Sequence, residues 1–120
     1  MSKKTVVIGA STNTERYSYK ATERLKSHGH EVVPVGIKEG EILGIKILTG
    51  MPEVKDVNTV TMYVGPQNQP SYYQYILGLH PKRVVFNPGT ENPEFEEMLV
   101  KAGIEPVEAC TLVMLSVGNY

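Results

Sequence analysis

Five short apolar runs, rich in β-branched residues, recur along this chain and constrain its fold more than any other feature. They cover residues 5–8, 31–36, 59–64, 83–86 and 104–107. The first run is apolar on both faces, which is typical of a strand buried in a parallel sheet. Helices are predicted over residues 17–26, 67–79 and 93–102. This alternation of strands and helices predicts a parallel sheet with helices on both faces.

The predicted fold is therefore α/β. It is a single Rossmann-type, doubly wound domain over residues 1–120, with a five-stranded parallel sheet in the order 3-2-1-4-5. Pro34 interrupts the second strand and predicts an edge, or a strand end, where one N–H is not needed. Residues 37–55 are predicted to form an irregular connection, because they hold three glycines and a proline.

Composition excludes several classes of protein. The net charge is -1 and the 12 basic residues are scattered, which argues against a nucleic-acid partner. No apolar run approaches the roughly 20 residues of a membrane span, so no membrane association is expected. Cys110 is the only cysteine, so no intrachain disulfide can form. With no secretory signal at the N-terminus, a reducing cytoplasm is the expected location.

The first strand ends in the small turn Gly9-Ala10-Ser11-Thr12, which lies at the predicted switch point of the sheet. Small residues let the backbone approach a ligand, and Ser11, Thr12 and Asn13 add hydrogen-bond donors. Arg16 adds a charge that can pair with phosphate. These residues predict a pyrophosphate cradle. The alternative is an ordinary strand-to-helix turn with capping hydroxyls.

The turn does not match the sequence motifs of three other kinds of site that occur in α/β folds. The turn is neither G-x-G-x-x-G, nor a nucleotide-hydrolysing phosphate loop, nor G-x-S-x-G. A NAD-binding fold usually ends its second strand with an acid, whereas the first charge met here is that of Lys38. A lysine there suits a ribose that carries a phosphate, as in NADP or coenzyme A. The alternative is a solvated loop lysine.

The chain resembles the small stand-alone CoA-binding proteins, whose domain also forms the N-terminal part of succinyl-CoA synthetase alpha subunits. The resemblance rests on the order and spacing of "VIGAS", "SYKATERLKSHGHEVVPVG", "EILGIKILTGMPEV", "MYVGP" and "NPGTENPEFEEMLVKAGIEPVEAC". It covers nearly the whole chain. It implies binding of coenzyme A or an acyl-CoA. It does not imply ligase chemistry, because the synthetases place their phosphorylated histidine in a separate domain.

The resemblance and the strand ends together define a predicted cofactor site. The diphosphate would lie on Gly9, Ala10, Ser11, Thr12, Asn13 and Arg16, and the adenosine phosphate on Lys38. The remaining predicted members border the site and are Pro34, Gly36, Tyr63, Val64, Pro66, Asn87, Pro88, Gly89, Thr90 and Cys110. Cys110 is predicted either as a small buried residue or as a partner for a cofactor thiol.

No pair of nucleophile and base is visible, so no catalytic residue is predicted. His28 and His30 flank Gly29 without a further ligand at suitable spacing, so no metal site is predicted either. His28 is expected to interact with the C-terminal end of a helix. Three functions remain open: a CoA-binding module, an NADP-dependent enzyme, and a regulatory protein with a vestigial pocket. The apolar tail "TLVMLSVGNY" is expected to pack on the sheet or to cover a partner in a homodimer.

Overall fold

The structure is a computed structural model that describes residues 2–120. Its strands are β1 (Thr5–Ile8), β2 (Val32–Val35), β3 (Gly40–Ile42), β4 (Ile45–Ile47), β5 (Thr59–Met62), β6 (Arg83–Phe86) and β7 (Glu105–Glu108). Its α-helices are α1 (Tyr17–Ser27), α2 (Tyr73–Leu79), α3 (Pro93–Lys101) and α4 (Thr111–Val117). Two 3-10 turns, Pro66–Asn68 and Pro70–Tyr72, precede α2.

Five parallel strands form the main sheet in the order β2-β1-β5-β6-β7. The α/β class and the five-stranded parallel sheet are confirmed, but the predicted order 3-2-1-4-5 is wrong. The third predicted strand, β5, lies between β1 and β6 instead of outside β2. All four residues of β5 are buried, as expected of an interior strand. β1 remains at the switch point, which now lies between β1 and β5.

An antiparallel hairpin, β3–β4, explains the difference in strand order. The residue after β4, Leu48, donates its N–H to Pro34 O at 2.9 Å and accepts from Gly36 N at 2.9 Å. The connection thus occupies the outer edge of β2, and the chain crosses to the free side of β1 to form β5. Pro34 does lie in the outermost strand of the main sheet, as predicted.

The hairpin itself is a correction to the prediction of an irregular segment over residues 37–55. Its tight turn places Leu43 at φ 49° and Gly44 at φ 83°. Two positive φ values in succession are what two-residue hairpins need. Leucine is an uncommon residue at such a position, so the usual turn signal was absent from the sequence.

Both faces of the sheet are covered, as predicted. One face packs against α2 and α3 through residues such as Ile76, Phe95 and Leu99. The other packs against α1, α4 and the hairpin through Leu25, Ile42 and Met114. The apolar tail therefore forms α4 and packs on the sheet of its own chain. Whether its outer side also contacts a second copy stays a prediction.

The segment before α2 departs from the single helix predicted over residues 67–79. Pro70 lacks an N–H and restricts the residue before it, so the chain forms two 3-10 turns before α2 begins at Tyr73. This leaves residues 63–72 as an irregular wall beside the carboxyl end of β5.

Candidate functional site

A cleft of about 860 Å³ opens at the carboxyl ends of β1, β2 and β5, beside the switch point of the sheet. Three segments line it: the loop after β1, the loop after β2 and the irregular wall after β5. The lining residues that the sequence predicted are Gly9, Ala10, Ser11, Thr12, Arg16, Gly36, Lys38, Tyr63 and Val64. The structure thus brings together residues from the three segments, at the position where such sheets bind ligands.

The floor of the cleft is built from backbones that touch. Gly9 has φ 98°, and a Cβ there would lie 3.0 Å from Tyr63 O. A Cβ on Gly36 would collide with Ala10 O, and one on Gly40 would collide with the side chain of Thr12. Gly36 is required by its packing on a backbone atom, and Gly9 is required also by its positive φ, whereas the close contact of Gly40 is with a side-chain methyl. The loop after β2 is therefore clamped onto the loop after β1.

The backbone donors of the loop after β1 are not all free. Gly9 N and Ala10 N both donate to Val35 O, at 3.0 and 2.9 Å, and so extend the contact between β1 and β2. Within residues 2–120, the N–H groups of Ser11 and Thr12 have no such partner. The N–H groups of Ser11 and Thr12 are therefore available as donors for an anion. Gly9 and Ala10 are small and leave room for a ligand above the loop.

The first helix begins at Tyr17, as predicted from the sequence, and local hydrogen bonds hold the loop before it. Asn13 Oδ1 accepts from Glu15 N at 3.0 Å, and Ser11 Oγ accepts from Asn13 N at 3.0 Å. These bonds shape the loop, and Arg16 is the N-cap residue of α1. Arg16 reaches the cleft but Asn13 does not line it.

The charged side chains of the cleft are Arg16, Lys38 and Glu39. Within residues 2–120, neither Arg16 nor Lys38 takes part in a salt bridge. Both side chains are exposed, so each is available to a phosphate, and salt would screen such a contact. The two cations against one carboxylate give the cleft a net positive charge, which favours an anionic ligand.

Tyr63 forms part of the wall and carries an unusual hydroxyl. Its backbone N–H donates to Ile8 O at 2.9 Å, which extends the pairing of β5 with β1. Its Oη is buried near the hydroxyls of Thr61 and Thr111 but, within residues 2–120, forms no hydrogen bond of standard geometry. Burial raises the pKa of the Tyr63 phenol, and the nearby Cys110 thiol raises it further. The phenol therefore stays neutral and cannot serve as a base near neutral pH.

The other predicted members lie outside the cleft: Asn13, Pro34, Pro66, Asn87, Pro88, Gly89, Thr90 and Cys110. Asn87 is buried and holds the ends of β5 and β6 to α4. Its Nδ2 donates to Thr61 Oγ1 at 2.7 Å and to Met62 O at 2.8 Å, and its Oδ1 accepts from Thr111 N at 2.9 Å. Cys110 is the partly buried N-cap residue of α4 and lies near the Tyr63 phenol.

Sequence reasoning missed most of the wall after β5. The additional lining residues are Ile37, Glu39, Gly65, Gln67, Asn68, Pro70, Ser71 and Tyr72. The signal available for them was Pro70, which ends a helix that would otherwise have started at residue 67. No pattern marked Ile37, which follows a strand and reads as an ordinary loop residue.

The wall after β5 is held from behind by Gln69, which is fully buried. Gln69 Nε2 donates to Val64 O at 2.8 Å and to Thr90 O at 2.7 Å, and Gln69 Oε1 accepts from Asn92 Nδ2 at 2.9 Å. Asn92 caps α3 by accepting from Phe95 N. Thr90 thus contributes to the cleft through Gln69 and not by lining it. Every polar atom of the Gln69 amide is satisfied, so the wall is fixed in place.

The histidines take structural partners. His28 Nδ1 contacts Arg24 O at 2.8 Å, at the end of α1, which confirms the predicted interaction with a helix C-terminus. His30 Nδ1 accepts from Lys3 N at 2.9 Å. Among residues 2–120, no cluster of three His, Cys, Asp or Glu side chains is placed to hold a metal ion. None of the helices formed by these residues has the length and apolarity needed to cross a membrane.

The fold and the cleft define a Rossmann-type domain with a nucleotide-sized site at the switch point of its sheet. Comparison with known families makes this specific: residues 3–116 match the model of the CoA binding domain. The chain belongs to this family. The family and the fold class expected from the sequence are thereby confirmed.

Solved structures agree with this assignment. The crystal structure of an uncharacterized protein is 60% identical, with a TM-score of 0.98, and the alignment covers 100% of this chain and 99% of that one. A conserved hypothetical protein from Pyrococcus furiosus is 31% identical, with a TM-score of 0.81 and coverage of 92% and 97%. An acetyl-coenzyme A synthetase from Ca. Korarchaeum cryptofilum shares the fold, at 18% identity and a TM-score of 0.71, over 90% of this chain and 26% of that one.

Proposed function

We propose that this protein binds coenzyme A or an acyl-CoA in the cleft between the loops after β1, β2 and β5. Ser11, Thr12 and Arg16 take the diphosphate, above the floor made by Gly9 and Ala10. Lys38 takes the phosphate on the ribose. The pantetheine arm follows the wall after β5, where Gln67 and Asn68 offer amide groups to its own amides.

One observation carries this proposal. Arg16 and Lys38 are two cations that form no salt bridge with the residues described by the structure, and they stand on separate loops that are clamped together by the contacts of Gly36 with Ala10 and of Gly40 with Thr12. Two phosphate sites held at a fixed spacing suit a ligand with a diphosphate and a separate phosphate. Coenzyme A carries both, and membership of the CoA binding domain family supports the same ligand.

The proposed role is binding without catalysis. Among residues 2–120, the groups that line the cleft include no thiol, no histidine and no pair of nucleophile and base. Tyr63 is held neutral by burial. We therefore expect no turnover of acyl-CoA thioesters or of NADPH. Hydrolysis or oxidation that persists after repurification and disappears in Arg16→Ala would contradict this expectation.

A panel of ligands separates coenzyme A from NADP, which Lys38 would also suit. The melting temperature is recorded with coenzyme A, acetyl-CoA, NAD and NADP. A ligand at 100 times its dissociation constant adds about 2.7 kcal/mol to stability, which corresponds to a rise of roughly 10 °C for a chain of this size. We expect the rise with the CoA compounds and its reduction in Arg16→Ala. A rise in melting temperature with NADP alone would indicate that NADP, and not coenzyme A, is the ligand. No rise with any ligand would favour a vestigial pocket.

Self-association and a cytoplasmic location belong to the same proposal. The outer side of α4 exposes Val113 and Val117, and the adjacent face of α1 carries both charge signs, on Glu23 and Arg24. A two-fold dimer built on this face would bury the two exposed valines of each copy. Val113→Glu should then lower the sedimentation coefficient, whereas Val100→Glu, on α3, should not. A monomeric wild type would contradict the dimer.

The free thiol of Cys110 fits a reducing compartment.

A further inference from the structure

Ile37 is the most exposed large apolar side chain of residues 2–120, with 86% of its surface accessible. It lies on the rim of the cleft, directly before Lys38. A single exposed isoleucine on an open surface would need no explanation. This one directly precedes Lys38 and Glu39, two charged residues that line the cleft, and so it lies beside the lysine that we assign to the ligand's ribose phosphate.

The backbone that carries Ile37 is held firmly. Gly36 N donates to Leu48 O at 2.9 Å, and Gly36 packs so closely on Ala10 O that no Cβ could be accommodated. On the other side, Gly40 packs equally closely on Thr12. The three residues between these glycines are therefore fixed relative to the loop after β1. The exposed side chain of Ile37 is therefore presented from a backbone that packs directly on the loop after β1.

We infer that Ile37 is a specificity-determining residue: its side chain covers one face of the ligand's nucleobase, while Lys38 holds the neighbouring phosphate. This inference rests on the proposed function of the same cleft. A base face is flat and weakly hydrated, so its contact with an aliphatic side chain removes apolar surface of both partners from water. Ligands with a base gain from this contact, whereas phosphorylated ligands without one do not.

The test compares two fragments of coenzyme A by calorimetric titration. Adenosine 3′,5′-bisphosphate contains the base, and 4′-phosphopantetheine lacks it. Ile37→Ala should weaken the binding of coenzyme A and of the bisphosphate by roughly fivefold to tenfold, the loss expected for about 50 Å² of apolar contact. It should leave the affinity for 4′-phosphopantetheine unchanged. Ile37→Trp should restore or tighten the binding of the bisphosphate, because bases stack on aromatic rings.

Leu43→Ala is the matched control, because Leu43 is an exposed aliphatic residue on the turn of the hairpin, outside the cleft. Since Ile37 is exposed, its variants should fold as the wild type does. Equal affinity of wild type and Ile37→Ala for coenzyme A would overturn the inference and leave the proposed function standing. A wild type that binds neither coenzyme A nor the bisphosphate would overturn both. An equal loss for both fragments would also overturn the role of Ile37 in base recognition.

Discussion

Lys38 is the side chain that should decide between coenzyme A and its dephosphorylated form. It lines the cleft, is exposed and forms no salt bridge within residues 2–120. We expect coenzyme A to bind more tightly than dephospho-CoA. Lys38→Ala should reduce the difference in binding free energy between the two ligands by about 1 kcal/mol, or roughly fivefold in affinity. An exposed ion pair contributes little more than this. Calorimetric titration of both ligands measures the difference.

The control for Lys38 is Lys55→Ala, which removes an exposed lysine far from the lining residues. This variant should keep the wild-type preference. Equal affinity of the wild type for coenzyme A and dephospho-CoA would remove Lys38 from the ribose-phosphate site.

Tyr63 offers a second prediction at the level of a single side chain. Its buried hydroxyl forms no hydrogen bond of standard geometry within residues 2–120. Leaving such a group unsatisfied costs about 1–3 kcal/mol, so Tyr63→Phe should raise the free energy of unfolding or leave it unchanged. Chemical denaturation measures the change. A loss of more than about 1 kcal/mol would show that the hydroxyl does have a partner in solution.

Gly36 shows how one residue can fix the relation between two elements. A Cβ at this position would collide with Ala10 O, so Gly36→Ala must push the loop after β2 away from the loop after β1. We expect lower stability and at least a tenfold loss in affinity for coenzyme A, because the two phosphate sites lose their spacing. Gly78→Ala is the control, since Gly78 lies in α2 with no atom near the added Cβ. Retention of wild-type affinity in Gly36→Ala would contradict the clamp.

The elements themselves were largely predictable from the sequence, and their arrangement was less so. The short, mainly apolar runs at residues 5–8 and 83–86 form β1 and β6 with the predicted bounds. The order of the strands depends on what occupies the outer edge of β2, and that is Leu48, after a hairpin whose turn begins with leucine. Periodicity within a strand contains no information on its neighbours, so the position of β5 could not be predicted this way.

The cleft was predictable where chemistry and strand ends coincide. Gly9–Thr12 and Lys38 lie in the loops after β1 and β2, Arg16 lies at the start of α1, and all of them line the cleft as expected. Asn87 and Thr90 also follow a strand, but they already have hydrogen-bond partners within the protein. The Asn87 side chain donates to Thr61, and the Thr90 carbonyl accepts from Gln69. A sequence shows that a residue is polar, but it does not show which hydrogen-bond partners its polar atoms find in the folded chain. Ile37 and Gln69 were missed because their roles come from exposure and burial, which only the folded chain defines.

At the scale of the whole molecule, buried phenols make the fold sensitive to alkali. Burial raises the pKa of Tyr63, Tyr73, Tyr75 and Tyr120 above the usual value. The folded chain therefore retains protons that the unfolded chain releases, and stability falls as the pH rises above about 10. We expect the melting temperature to decline there, and less steeply in Tyr63→Phe. Tyr17→Phe, which alters an exposed tyrosine, should decline as the wild type does. A melting temperature that is flat to pH 11 would contradict this expectation.

The most direct test of the central claim is an NMR titration of the labelled protein with coenzyme A, which shows where on the molecule the ligand binds. The account predicts that amide shifts concentrate in residues 9–12, 36–39 and 63–72, at the carboxyl ends of β1, β2 and β5. The amides of α3 and of the turn at Leu43 and Gly44 should stay in place. Shifts confined to the opposite end of the sheet, or to the outer side of α4, would contradict the claim that this cleft is the site for coenzyme A.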